Sequence, residues 1–71
     1  MEFLLVHFPE KRSVLIDGYE TGNVEETIPV GKGTHTIRLG GSANYRPASL
    51  KIKILDTTAI KPMEVHFEKA H

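Results

Sequence analysis

The chain has no cysteine. Disulfide staples, thiolate metal sites and cysteine nucleophiles are therefore excluded, while the compartment is left undecided. There is no tryptophan, and the three Phe and two Tyr are scattered, so no aromatic platform for stacking bases stands out. There is no excess of charge either. Nine basic residues balance nine acidic ones, which removes the simplest electrostatic case for DNA, RNA or an anionic membrane. Long apolar runs are missing too. Phe3-Leu4-Leu5-Val6 stops at His7, with no basic stretch before it and no small-residue cleavage site after it. That is too short for a signal peptide or a bilayer span, so no membrane insertion is expected. Read as it stands, the chain is cytoplasmic; the alternative is a module excised from a larger protein. Finally, no segment of helical length keeps a 3.6-residue period.

What is present is a set of short strand signals. Seventy-one residues make a single domain, 1–71. A chain of this size buries only about 60% of its unfolded surface, so a catalytic cleft is hard to accommodate in its thin core. The organising stretch is Ser13-Val14-Leu15-Ile16-Asp17-Gly18. Val14 and Ile16 share one face at period two, and β-branched residues suit a pleated surface. Asp17 bonds readily to backbone two residues on, and Gly18 takes a positive φ without steric cost. An Asp-Gly pair after an apolar run predicts a tight turn.

Before it, Glu2 to Phe8 reads as a strand apolar on both faces, which calls for cover on two sides. Pro9 ends it, and the short link Glu10-Lys11-Arg12 predicts that the first two strands are neighbours. Asn23 to Glu26 reads as polar. Pro29 marks Glu26-Thr27-Ile28 as an edge or a strand end. Gly31 and Gly33 frame a second turn. Thr34 to Leu39 alternates, with His35, Ile37 and Leu39 on one face. Gly40 to Asn44 reads as a flexible loop leading into Tyr45-Arg46-Pro47. Ala48 to Leu55 points Leu50, Ile52 and Ile54 inward, and Met63 to Phe67 does the same with Met63, Val65 and Phe67. Asp56 to Lys61 has room for one helical turn at most. Turn signals every 8–12 residues or so predict a sandwich or barrel.

Chemistry-bearing patterns are sparse. No two histidines stand at i, i+2 or i, i+4, so no metal site is expected, and His71 is expected to fray. Ser13 and Asp17 would lie some 13 Å apart along one strand, too far for a nucleophile and its base. Gly31-x-Gly33 is not followed by a helix that could hold a phosphate. Lys51 and Lys53 face outward, as do Glu64 and Glu68. If their strands are adjacent, cross-strand pairs worth roughly 0.2–1 kcal/mol each follow. The glycine-rich Gly40 to Pro47 loop sets Tyr45 beside Arg46, two residue types enriched at interfaces, and these are the candidate binding residues.

In order along the chain, Pro9-Glu10-Lys11-Arg12, Ile16-Asp17-Gly18, Gly22, Pro29-Val30-Gly31-Lys32-Gly33-Thr34-His35-Thr36-Ile37 and Tyr45-Arg46-Pro47 resemble the signature positions of PEGA domains. Lys11-Arg12 stand where that family has Gly-Ala, and Val24-Glu25 where it has Thr-Pro. The resemblance implies a small antiparallel Greek-key β-sandwich of the transthyretin type, with about six to seven short strands. It also implies a bacterial, non-catalytic module that needs no cofactor and that, if excised from a larger protein, comes from one of the cell envelope or a secreted one. The expected function is binding of another protein or a surface polymer. Self-association through an edge strand, as a weak homodimer, is the alternative, and carbohydrate or small-molecule binding a further one.

Overall fold

The computed structural model describes residues 1–70; His71, and the fraying expected of it, lie outside the described residues. The described residues form nine strands and no helix: β1 (Glu2–His7), β2 (Ser13–Ile16), β3 (Tyr19–Asn23), β4 (Thr27–Val30), β5 (Gly33–Leu39), β6 (Tyr45–Arg46), β7 (Leu50–Ile54), β8 (Met63–His66) and β9 (Glu68–Lys69). The fold is all-β, a small β-sandwich. Two strands, β6 and β9, are only two residues long, which accounts for the excess over the six to seven expected.

One sheet has the order β4-β1-β8 and the other β3-β2-β5-β7; β6 and β9 make a separate ribbon. All pairs are antiparallel except β1 with β8, which run parallel from Leu4↔Met63 to His7↔His66. The parallel pair is a departure from the expected antiparallel sandwich. A second departure concerns neighbours. β1 and β2 lie in different sheets, so the link through Pro9 to Arg12 crosses the end of the sandwich rather than turning a hairpin. Sheets stack about 10 Å apart, and a few extended residues at 3.3–3.6 Å each are enough to bridge them. Gly31-Lys32-Gly33 makes the same crossing from β4 to β5. Of its two glycines only Gly33 takes a positive φ, at 127°.

The Asp17-Gly18 turn is as the sequence predicts. Ile16 pairs with Tyr19, and both central residues have positive φ, 53° at Asp17 and 87° at Gly18. That is the primed two-residue turn whose twist matches the flanking strands. Asp17 then reaches across to β5, where its Oδ1 accepts the Thr36 N–H at 3.0 Å.

The core lies between the inner faces. Leu4 and Val6 of β1, Val14 and Ile16 of β2, Ile28 and Val30 of β4, Ile37 and Leu39 of β5, Ile54 and Val65 are buried, together with Phe8 and Phe67. Leu50, Ile52 and Met63 pack against them partly buried. Val24 is buried as well, at 6% exposure; the stretch read as polar thus carries a core residue. Glu25 beside it turns the chain with a φ of 60°. Gly22 is required by packing. A Cβ there would stand 2.8 Å from Ile28 Cγ1, so its bareness is what lets β3 approach β4.

Candidate functional site

Arg12, which reads in the sequence as part of a short charged link, organises one end of the sandwich. Its Nε donates to Gly40 O at 2.6 Å and its Nη1 to Asn44 Oδ1 at 2.8 Å, while Nη2 donates to Ser42 O. The guanidinium also lies 5.5 Å from the ring centres of Phe8 and Tyr45. Its side chain is only 11% exposed. A planar fork with five donors suits this task, since two backbone carbonyls and the Asn44 side-chain oxygen of one loop surround it. The segment expected to be a free loop is therefore tied to the body of the protein. Nothing in sequence spacing marks Arg12 for this, because its partners are 28 to 32 residues away.

The two candidate binding residues have different positions. Tyr45 is half-buried. Its hydroxyl donates to Leu39 O at 3.0 Å and accepts the Leu39 N–H at 3.2 Å. Its ring stands edge-on to Phe67 at 5.4 Å and to Phe8 at 6.2 Å. It fastens the β6–β9 ribbon onto the core. Arg46 points away, 65% exposed, with Glu68 of β9 at 3.9 Å. Beside this ribbon Lys69 Nζ pairs with Glu10 Oε2 at 2.9 Å. Two adjoining hollows, about 240 and 320 Å³, share Phe8, Pro9 and Glu25 as lining.

The histidines act as ties. His35, at the start of β5, bonds Asp17 Oδ2 through Nδ1 and Gly31 O through Nε2, both at 2.7 Å. Carboxylate and carbonyl oxygens only accept, so both bonds form together only with the imidazolium. The Asp17 bond first, and the Gly31 carbonyl second, hold the His35 pKa above its ordinary value. Asp17 moves the other way, because its carboxylate accepts the Thr36 N–H and then the His35 proton. His7 is held likewise, by Glu25 Oε1 at 2.9 Å and Glu64 Oε1 at 2.8 Å. Its pKa is raised, chiefly by Glu64. Its ring stacks on His66 at 4.6 Å. With both His7 nitrogens taken and the rings parallel, the lone pairs of this cluster do not converge. Among the described residues no group of three or more His, Asp or Glu is arranged to hold a metal ion. The turn residues Asp17, Gly18, Gly31 and Gly33 thus serve the frame, with Gly31 adding the carbonyl that His35 uses.

Charge is sorted by sheet. β7 pairs with β5, setting Lys53 opposite Thr34 and Lys51 opposite Thr36; β8 pairs with β1. The Lys-bearing and Glu-bearing strands are not neighbours, which corrects the expected cross-strand pairs. The outer face of the larger sheet carries Arg38, Lys51 and Lys53, all exposed. The chain's Lys and Arg ion pairs involve Arg12, Arg46 and Lys69; Arg38, Lys51 and Lys53 have none among the described residues. The outer face of the smaller sheet carries Glu64 and the Glu25 carboxylate, both closed onto His7.

The chain matches no model of a known protein family, no curated protein and no solved structure.

Proposed function

We propose that the chain is a non-enzymatic interaction module of the PEGA type, and that another protein docks at the end organised by Arg12. The observation that carries this reading is the Arg12 clamp. It fixes the Gly40 to Asn44 loop and, through Tyr45, the ribbon that presents Arg46 to solvent. A preorganised loop loses little entropy when a partner binds. Arg46 is a residue type enriched at interfaces, and its ion pair with Glu68 at 3.9 Å is loose enough to be exchanged for a partner carboxylate. The Phe8–Pro9 hollows alongside offer an apolar floor with a rim of Glu10, Lys11, Glu25 and Glu26. The non-enzymatic half of the proposal is supported by how the titratable side chains are used. Asp17, His35 and His7 are each engaged in bonds that hold turns and strands together.

Binding a foreign partner rather than a second copy is favoured by two of the four sheet edges. β4 bears Pro29, which lacks an N–H, and β7 bears Lys51 and Lys53, so these two edges are poor templates for strand addition, which leaves β3 and β8 as the edges on which a second copy could pair. Light scattering over a wide concentration range is expected to show a stable monomer. A photoreactive side chain at position 46 is expected to crosslink a partner protein in the source cells, whereas the same group at Thr34 gives no protein adduct. A concentration-dependent dimer, or protein adducts from position 34 alone, would contradict the proposal.

A further inference from the structure

We infer that the outer face of the β2–β5–β7 region is a second binding surface, whose ligand is a linear acidic polysaccharide. The inference rests on the pairing of β7 with β5, which gathers cations that the sequence spreads over sixteen positions. Lys51 and Lys53 are two residues apart on β7, about 7 Å along the strand. Arg38 is diagonal to Lys51, because Lys51 faces Thr36, which puts them about 7–8 Å apart. The three make a stripe of charge +3 on one flat face. The carboxylate of Glu20 on β3 is held off by β2, where Leu15 stands between Glu20 and Arg38. Asp17 is turned to His35 and the Thr36 amide.

A ligand must supply repeated negative charge on a flat track. A second copy of this chain does so poorly. Its smaller-sheet face offers Glu25 and Glu64 closed around the His7 imidazolium, which leaves one net negative charge against three positive ones. Single-stranded nucleic acid is bound through aromatic stacking as well as charge, and the residues that β2, β5 and β7 present on this face are Ser13, Leu15, Thr34, Thr36, Arg38, Lys51 and Lys53, none aromatic. The Thr34 and Thr36 hydroxyls stand opposite Lys53 and Lys51 on β5 and make no hydrogen bond among the described residues. Hydroxyls and cations together suit a chain of sugars bearing acid groups, whose hydroxyls and carboxylates they would bond.

Polyguluronate in calcium-free buffer is the probe. Three contacts give a slope of log K against log salt of about −2, an affinity loss of about twentyfold between 50 and 200 mM salt. Lys51→Glu/Lys53→Glu is expected to weaken binding more than tenfold with the thermal midpoint unchanged. Lys51→Gln/Lys53→Gln repeats the test without reversed charge, should the first variant fold poorly. Arg46→Ala is expected to bind within twofold of the wild type. The inference is overturned if neither lysine variant loses affinity, or if wild type ignores polyguluronate at 50 mM salt. Tighter binding of oligothymidylate would make the face a nucleic-acid surface, and retention on phosphatidylglycerol vesicles alone a membrane surface; both contradict it. Loss of polyguluronate binding in Arg46→Ala, with the lysine variants intact, would move the polymer to the loop end. That result overturns this inference and leaves the proposed protein-docking role standing.

Discussion

Replacing Arg12 by Met keeps an apolar stem against Phe8 and Tyr45 and removes the guanidinium. Three hydrogen bonds are lost, to Gly40 O, Ser42 O and Asn44 Oδ1, along with two cation–ring contacts at 5.5 Å. Hydrogen bonds to charged groups contribute roughly 1.5–3 kcal/mol each. Three of them summed would rival the whole stability of the domain, about 4–11 kcal/mol at 0.05–0.15 kcal/mol per residue. The sum overshoots because Ser42 and Asn44 are exposed, so their freed oxygens turn to water. The expected cost is about 2–3 kcal/mol. With a urea slope near 1 kcal/mol/M, the midpoint falls by about 2–3 M. Arg12→Lys keeps the charge but not the planar fork, so it is expected to recover less than half of the loss. A midpoint for Arg12→Met within about 0.5 M of wild type would refute the clamp. So would Arg12→Lys with full wild-type stability, since a point charge cannot serve three acceptors placed around a fork.

The remaining expectations concern turns, packing and pH. Gly18→Val forces a β-branched residue to a φ of 87° and should destabilise by more than about 1 kcal/mol in urea melts; an unchanged midpoint would mean that the turn tolerates a side chain. Gly22→Ala places a Cβ 2.8 Å from Ile28 Cγ1 and should cost about 1–3 kcal/mol through overpacking; Ile28→Val in the same chain should return part of it. His7 and His35 have raised pKa values, so the stability they contribute is complete below their ordinary 6.5 and is lost as pH rises through the raised values. Asp17 and Glu2 have lowered values, Glu2 chiefly through the Thr57 hydroxyl, so their contribution is present above the ordinary carboxylate range and is lost on acidification below it. Urea midpoints across pH 3–9 should therefore peak in the mildly acidic range between the two, and a maximum above pH 8 would contradict the imidazolium ties.

Period-two alternation was enough to locate β2, β5 and β7, because each has one buried face and local side-chain identity decides it. The Asp17-Gly18 turn was legible for the same local reason: its conformation depends on two adjacent residues. Sheet membership was not legible. Pro9 to Arg12 and Gly31 to Gly33 have the length of hairpin links, yet both cross between sheets, and that choice depends on where distant strands pack. The parallel partnership of β1 with β8 joins the two ends of the described chain, and no local pattern encodes it. Val24 was hidden because one apolar residue among Asn23, Glu25 and Glu26 carries no period. At the candidate site the sequence shows Tyr45 and Arg46 only as neighbours, and coordinates separate the ring that fastens the ribbon from the guanidinium that faces solvent. Arg12 has the sequence of a surface charge; its role follows from carbonyls brought to it by β5 and the loop beyond.

Both functional readings rest on strand neighbours, the clamp on β2 beside β5 and the basic stripe on β7 beside β5. Cross-strand nuclear Overhauser effects in solution report those neighbours directly. Backbone contacts from Thr36 to Lys51 and from Thr34 to Lys53, with a parallel pattern linking Val6 to Val65, are the expected result. Contacts linking Lys51 or Lys53 to Glu64 across adjacent strands would contradict it, since they would mix the two charges on one face and dissolve the stripe.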